Sequence, residues 1–315
     1  APLRAMGARL KAAEGDRYPP LVSDGGALRG VRFDEPTASA QVASCLLLAG
    51  LAATGATSVR TRFGVRDHTV HVLRQFGVTV ATESDTEGGA RLWVTGPATP
   101  RAAKVRVPGD PSAAAFFLAL AAATPGLCIE ARGINLSPTR LGLLEVLRRM
   151  GARVEKIERG EASGEPVGDV IVEGPAALEA AEIPSALLPA MVDEVPAWAM
   201  AAAVARGTSR LSGAAELRVK ESDRLRSLAE NLRGLGIEAV ESPDGLAITG
   251  GEPLGGVVRA RGDHRIAMAF AALGSRSRSP VTVDDAASVA TSFPEFEATF
   301  RSLGGCLEAG TEPAA

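Results

Sequence analysis

Apolar side chains recur along this chain in two alternating kinds of helix. The first kind is amphipathic and ends in one phrase, written five times: Leu3-Arg4-Ala5-Met6-Gly7-Ala8, Leu73-Arg74-Gln75-Phe76-Gly77-Val78, Leu147-Arg148-Arg149-Met150-Gly151-Ala152, Leu232-Arg233-Gly234-Leu235-Gly236-Ile237 and Phe300-Arg301-Ser302-Leu303-Gly304-Gly305. The glycine suits a left-handed C-cap, which closes a helix by satisfying its last carbonyls. An alternating strand follows, as in Arg153-Val154-Glu155-Lys156-Ile157 and Ile237-Glu238-Ala239-Val240.

The second kind is rich in Ala and Leu nearly all round, over 39–55, 112–126, 195–207 and 266–274. Helices without a polar face belong in the middle of a protein. Helix, strand, helix and strand pair therefore make one unit. The phrase glycines are 70, 74, 85 and 68 residues apart, too long for the common solenoid periods. The pattern predicts an α/β architecture of repeated small sheets on buried helices. Pro108, Gly109 and Pro111 interrupt an expected strand before a new apolar helix. The lobe boundary falls there, giving 1–107 with about one and a half units and 108–315 with three.

Bulk composition narrows the function classes. A chain of 315 residues has room for two lobes. Its net charge of −3 gives no support to a general nucleic-acid or anionic-membrane role. Cys45, Cys128 and Cys306 lie far apart, without metal spacing and in apolar settings, and are expected to be structural. No apolar run approaches the roughly 20 residues that span a bilayer, and the longest, 113–123, reads as a buried helix. No signal peptide is evident. A reducing, cytoplasmic setting is expected. The chain begins at Ala1 and runs into a helix at 3–6, which reads as the middle of a longer sequence.

Candidate chemistry concentrates at predicted helix N-termini. Leu217-Arg218-Val219-Lys220-Glu221-Ser222-Asp223-Arg224-Leu225-Arg226 mixes both signs of charge. Of 34 basic residues only Lys11, Lys104, Lys156 and Lys220 are lysines, so a lysine here substitutes a compact, tunable point charge for a fixed fork. Ser39-Ala40-Gln41, Arg66-Asp67-His68-Thr69, Asp193-Glu194 and Asp263-His264-Arg265 open other helices. Such ends carry free N–H groups and partial positive charge, and the added cations favour phosphate or carboxylate ligands. Each feature also has a purely structural explanation. Asp67, Asp110, Asp193 and Asp263 are all suited to capping. His68, His71 and His264 taken singly fit structural or solvated roles, and 220–224 fits a capping box with surface ion pairs. No metal spacing, Ser-His-Asp order or Gly-rich nucleotide loop occurs. Glu221, Lys220 and Asp193 could act as acid and base. The residues alone point to a transferase or lyase acting on phosphorylated or carboxylated small molecules.

At these positions the sequence resembles the enolpyruvyl transferases, on the branch that uses shikimate 3-phosphate. Besides the segments above, Pro108-Gly109-Asp110-Pro111-Ser112, Asn135-Leu136-Ser137-Pro138-Thr139-Arg140, Asp193-Glu194-Val195-Pro196, Asp263-His264-Arg265-Ile266-Ala267-Met268 and Ala290-Thr291-Ser292-Phe293-Pro294 follow that family's order along the chain. The Leu-Arg-Val-Lys-Glu-Ser-Asp-Arg-Leu string is the most specific of them. The resemblance implies a two-lobed enolpyruvyl transferase fold of repeated βαβαββ units around buried helices, with the first lobe incomplete. It implies transfer of the enolpyruvyl group of phosphoenolpyruvate to the 5-hydroxyl of shikimate 3-phosphate, releasing phosphate, a step towards aromatic amino acids. Carried over by motif, Ser39, the Ala40 backbone, Gln41, Arg66, Asp193 and Lys220 hold shikimate 3-phosphate. Gln41, Arg224, His264 and Arg265 hold phosphoenolpyruvate. Asp193 takes the hydroxyl proton, Lys220 stabilises developing charge, and Glu221 gives a proton to the methylene. No cofactor, metal, nucleic acid or membrane partner is implied, and the complete enzyme is expected to be a monomer.

The resemblance has two departures. Val65 stands where the family usually has Ser or Thr before Arg-Asp-His-Thr, removing one hydroxyl from the substrate phosphate. The family's N-terminal segment, with its Lys-Ser pair, Asn-[Ala/Ser]-Gly-Thr loop and Arg-Pro segment, has no counterpart here, so activity is expected to need that segment, in one chain or in trans. The Ser-Ala-Gln and Arg-Asp-His-Thr forms look like the bacterial class that includes glyphosate-tolerant members. Two alternatives stay open: the UDP-N-acetylglucosamine branch of the same fold, and a non-catalytic fragment that binds substrate or assists assembly.

Overall fold

A computed structural model describes residues 1–34, 39–61, 65–86 and 88–308. The chain divides into one compact unit of Ala1–Val107 with Glu161–Glu165, and a second of Pro108–Gly160 with Pro166–Ala315. The last residues of the expected 108–315 lobe, 309–315, lie outside the described ones.

The first unit is a four-stranded sheet covered by helices. Its strand order is Arg32–Asp34, Gly55–Thr61, Ala90–Gly96, Ala81–Ser84. The first pair is parallel and the others antiparallel. Alternation sends Thr57, Val59, Leu92 and Val94 to one buried face. The helix Ala40–Ala52 lies on that face through Ala43, Leu46, Leu47 and Gly50. Contact is close at Gly50, where a Cβ would stand 2.6 Å from Val94 Cγ2 and 2.9 Å from Thr57 Cβ. The opposite side of this helix is open, and Leu48 is 52% exposed. The expectation of an all-round buried helix fails here: the sheet covers one side, Pro2–Ala5 and His68–Gln75 touch the helix besides, and Leu48 is left uncovered.

In the second unit the same kind of helix is central. Pro111–Ala123, Val195–Ala202 and His264–Gly274 pack on one another. All of Val195–Ala202 is buried, including Trp198, and so is most of Pro111–Ala123. Alanine on these helices lets backbones approach while Phe116, Phe270 and Trp198 fill the remaining space, the dense packing expected of an interior. Three small sheets surround them: Cys128–Asn135, Glu165–Glu173 and Arg153–Ala162; Thr208–Leu211, Gly245–Thr249 and Glu238–Ser242; and the parallel pair Gly256–Val258 and Val281–Val283. Phe293 stacks edge-on against Phe117 at 6.1 Å, so the Thr-Ser-Phe-Pro motif is anchored in this core.

The repeated phrase behaves as its glycines predict. Met6, Phe76, Met150, Leu235 and Leu303 are the C-cap residues, and all five following glycines have φ between +77° and +104°. Four expectations need correction. Residues 98–108 carry no strand. No strand follows Gly304 as far as residue 308, and 309–315 lie outside the described residues. The helix ending in the fourth phrase starts at Arg224, leaving Lys220 and Glu221 in a loop before it. All three cysteines are exposed. Cys45 lies off the Ala43–Leu46–Leu47 stripe, and Cys128 alternates with buried Ile129. Among the described residues no helix is long and apolar enough to cross a membrane.

Candidate active site

The second unit gathers six of the predicted site residues, Asp193, Lys220, Glu221, Arg224, His264 and Arg265, around one buried ion pair. Arg224 opens the helix Arg224–Gly234, and Asp263 caps the helix His264–Gly274 by accepting from the Arg265 N–H at 3.0 Å. Both side chains are fully buried. Arg224 Nε donates to Asp263 Oδ2 at 2.8 Å, and Ser222 Oγ donates to the same oxygen at 3.0 Å. Arg224 Nη2 donates to Glu221 at 2.6 Å. Burial opposes the charge on Arg224, but hydrogen bonding to Asp263 and the nearby carboxylates hold its pKa above the ordinary arginine value. Burial likewise opposes the charge on Asp263, and Arg224 outweighs it, keeping the carboxyl below its usual range.

Asp193 stands above this pair on the 3-10 turn Val192–Glu194. Three cations approach its carboxylate: Arg224 Nη1 at 3.6 Å, Lys220 Nζ at 4.0 Å and Arg265 Nη2 at 4.0 Å. These are attractive charge contacts, longer than hydrogen bonds. Arg265 Nη1 also donates to the Asp193 carbonyl at 3.2 Å. Lys220 is 28% exposed and has Glu216 at 3.7 Å on its other side. Glu221 is half-exposed. The His264 imidazole is held below its ordinary pKa, first by burial and then by the Arg265 charge, and is therefore neutral at pH 7. Chemically, the cluster offers a carboxylate in a cationic setting, two partly exposed cations and a second carboxylate within one loop.

A further polar network fixes the turn from behind. Ser112 Oγ donates to buried Glu194, and Arg140 Nη2 donates to Ser112 Oγ at 2.8 Å and Asp110 at 2.5 Å. Asp110 also caps the helix Pro111–Ala123 through the Ser112 N–H. The Asp-Pro-Ser and Asn-Leu-Ser-Pro-Thr-Arg motifs thus meet beside the residue that follows Asp193.

The first unit holds the other predicted residues. Ser39 caps the helix Ala40–Ala52, its hydroxyl accepting from the Val42 N–H at 3.3 Å. Ala40 presents its N–H in the first turn, and Gln41 is exposed beside it. Arg66 is half-buried and directly precedes Asp67, the N-cap residue of His68–Gln75. Thr69 and Ser44 share a 2.6 Å hydrogen bond that ties the two helix starts together. His71 lies 3.3 Å from Asp67, in keeping with a structural role.

Sequence reasoning treats Asp263 only as a cap and gives Ser222 and Arg218 no individual role. The signal for Asp263 is its place in Asp-His-Arg, but its partner Arg224 is 39 residues away and is visible only in the fold.

Comparison with known proteins adds an independent line. Residues 1–300 match the family model described as EPSP synthase (3-phosphoshikimate 1-carboxyvinyltransferase). A 3-phosphoshikimate 1-carboxyvinyltransferase of Xanthomonas campestris pv. campestris (strain 8004) is 50% identical over 312 residues, which are 98% of this chain and 69% of the relative. One from Methylococcus capsulatus is 45% identical over 307 residues, again 98% and 69%. The solved EPSP synthase of Acinetobacter baumannii superposes with a TM-score of 0.84 at 39% identity, covering 98% of this chain and 70% of that one. An enolpyruvyl transferase from Streptomyces tendae, 17% identical with a TM-score of 0.72, shares the fold, covering 99% of this chain and 71% of that one.

Proposed function

The chain belongs to the EPSP synthase family, the 3-phosphoshikimate 1-carboxyvinyltransferases, and from that premise we propose how its residues divide the reaction. The substrates are phosphoenolpyruvate and shikimate 3-phosphate. Ser39, the Ala40 N–H, Gln41, Arg66, Asp193 and Lys220 hold shikimate 3-phosphate. Gln41, Arg224, His264 and Arg265 hold phosphoenolpyruvate.

Asp193 removes the proton of the 5-hydroxyl as its oxygen bonds to the central carbon of phosphoenolpyruvate. Glu221 delivers a proton to the methylene carbon, and Lys220 offsets charge that develops between them. Loss of a proton from the new methyl group then expels phosphate and restores the double bond. The observation that carries this reading is the Asp193 carboxylate with Lys220, Arg224 and Arg265 all within 4.0 Å. A carboxylate so placed stays with its cations until an anionic substrate competes for them. Arg224 is committed below the surface, so its role is to present the Nη1 edge, while Arg265 and Lys220 supply the more accessible donors. The reading also implies a monomeric cytoplasmic enzyme without cofactor or metal. Identity of 50% to 3-phosphoshikimate relatives weighs against the UDP-N-acetylglucosamine alternative.

The test is phosphate release on mixing both substrates. Because the chain spans 69% of the length of its Xanthomonas relative, the assay is run on the chain alone and on a chain of the relatives' full length. Glu221→Gln should lower turnover by at least about a thousandfold, roughly 4 kcal/mol of transition-state stabilisation. Near-normal turnover would remove Glu221 from the mechanism.

A further inference from the structure

The loop that carries Lys220 and Glu221 has little apolar material to hold it. Val219 is 83% exposed and Glu221 points half into solvent. Ser222 ties the far side of the loop to Asp263. The near side is held by Arg218, and every nitrogen of that guanidinium is used. Nη1 donates to both Asp223 oxygens, at 3.2 and 2.9 Å, and to Glu241 at 3.2 Å. Nη2 donates to Glu241 at 3.1 Å and to the Ser242 carbonyl at 2.5 Å. Nε donates to the Pro243 carbonyl at 2.7 Å.

Arg218 and Asp223 bracket the four residues Val219, Lys220, Glu221 and Ser222, so their ion pair closes the loop at its neck. The neck is in turn fastened to a rigid support. Glu241 and Ser242 lie in a strand paired with Gly245–Thr249, and Asp244 in the turn between accepts from the Gly213 and Ala214 N–H groups. Only a planar fork reaches this set of acceptors at once; a lysine ammonium in the same place would serve some and abandon others. The helix Arg224–Gly234 gains from the same residue, because Asp223 is also its N-cap through the Arg226 N–H at 3.1 Å.

We propose that Arg218 is a positioning residue: its guanidinium, forked between Asp223 and Glu241, clamps the neck of the loop and sets where Lys220 and Glu221 stand relative to Asp193. The proposal rests on the reading that Lys220 and Glu221 work in the reaction. It is tested without turnover, so the two can fail separately.

The chain has four lysines, and Lys11, Lys104 and Lys156 are exposed while Lys220 is partly buried between Asp193 and Glu216. In protein labelled with carbon-13 lysine, the Lys220 ε-methylene signal should stand apart from the other three and is identified by its loss in Lys220→Arg. In Arg218→Ala it should collapse onto the exposed group, and added guanidinium below denaturing concentration should return it. Arg218→Lys should not restore it. Arg226→Ala, which removes a surface pair with Glu230 on the same helix, should leave it in place. Asp223→Asn keeps a good N-cap while weakening the clamp, and should move the signal part of the way; it decides the matter alone if Arg218→Ala does not fold. A native Lys220 signal among the exposed ones, or one that stays put in folded Arg218→Ala, or that moves equally in Arg226→Ala, would overturn the proposal.

Discussion

Replacing Asp263 with Asn tests whether the buried pair supports the cluster as its geometry indicates. Asn fits the same space and can still cap the helix with its carbonyl oxygen, so the change removes the charge and puts an NH2 donor where Oδ2 accepts from Arg224 Nε and Ser222 Oγ. At 2.8 Å and an effective dielectric of 20, the Arg224–Asp263 attraction is about 6 kcal/mol, of which desolvation of both groups takes a large part. Removing one partner leaves the Arg224 charge, 0% exposed, with Glu221 and Asp193 alone. The expected loss is about 3–5 kcal/mol at pH 7. The pH dependence gives an internal check. The folded-state pKa of Asp263 lies below its unfolded value of 3.8. Its contribution is therefore complete above that value and is lost as pH falls through the folded pKa. Urea unfolding of both proteins from pH 7 down to pH 3 should show a wide gap that begins to narrow below pH 3.8. A gap under about 1 kcal/mol at pH 7, or one that does not narrow in acid, would refute the assignment of this pair as the electrostatic base of the site.

Two further outcomes follow from the same region. His264 should titrate below 6.5 by proton NMR, because burial and then Arg265 disfavour its charge; Arg265→Ala should raise the midpoint part of the way. Since the unfolded chain takes up that proton first, His264 should make stability fall as pH drops below 6.5, and His264→Asn should flatten this slope in denaturation series. Gly142→Ala should destabilise by about 1–3 kcal/mol through overpacking, because its Cβ would stand 2.9 Å from both the Leu187 carbonyl oxygen and Met191 Cβ; an unchanged urea midpoint would show that the segment leading to Asp193 yields freely.

What the sequence discloses here, and what it withholds, divides by range. The repeated phrase is readable because a C-cap glycine and the apolar stripe before it act over one turn of helix, and the five positive φ values follow from that local requirement. Burial of Pro111–Ala123 and Val195–Ala202 is readable for a similar reason, since a helix with no polar face gains on every side that is covered. Ala40–Ala52 shares that composition yet leaves Leu48 open, and nothing in its own residues says how many sides will be covered. The site divides in the same way. Asp263 is well explained as a cap, and it does cap; the explanation omits Arg224, whose nitrogen reaches the same carboxylate from 39 positions away. Residues 220–224 read as a capping box at a helix start, but the cap is Asp223 alone, and Lys220 and Glu221 stand on the loop between the 3-10 turn Ala215–Val219 and that cap. That displacement has a functional consequence. A side chain on a helix is placed by the helix, whereas one on a short loop is placed by whatever holds the loop's ends. For Lys220 and Glu221 those ends are Arg218 on one side and Ser222 with Asp263 on the other. On the proposed reading the charged residues of this string divide their work: Lys220 and Glu221 act on the substrates, while Arg218, Asp223 and the buried Arg224 side chain fix the loop and helix start around them.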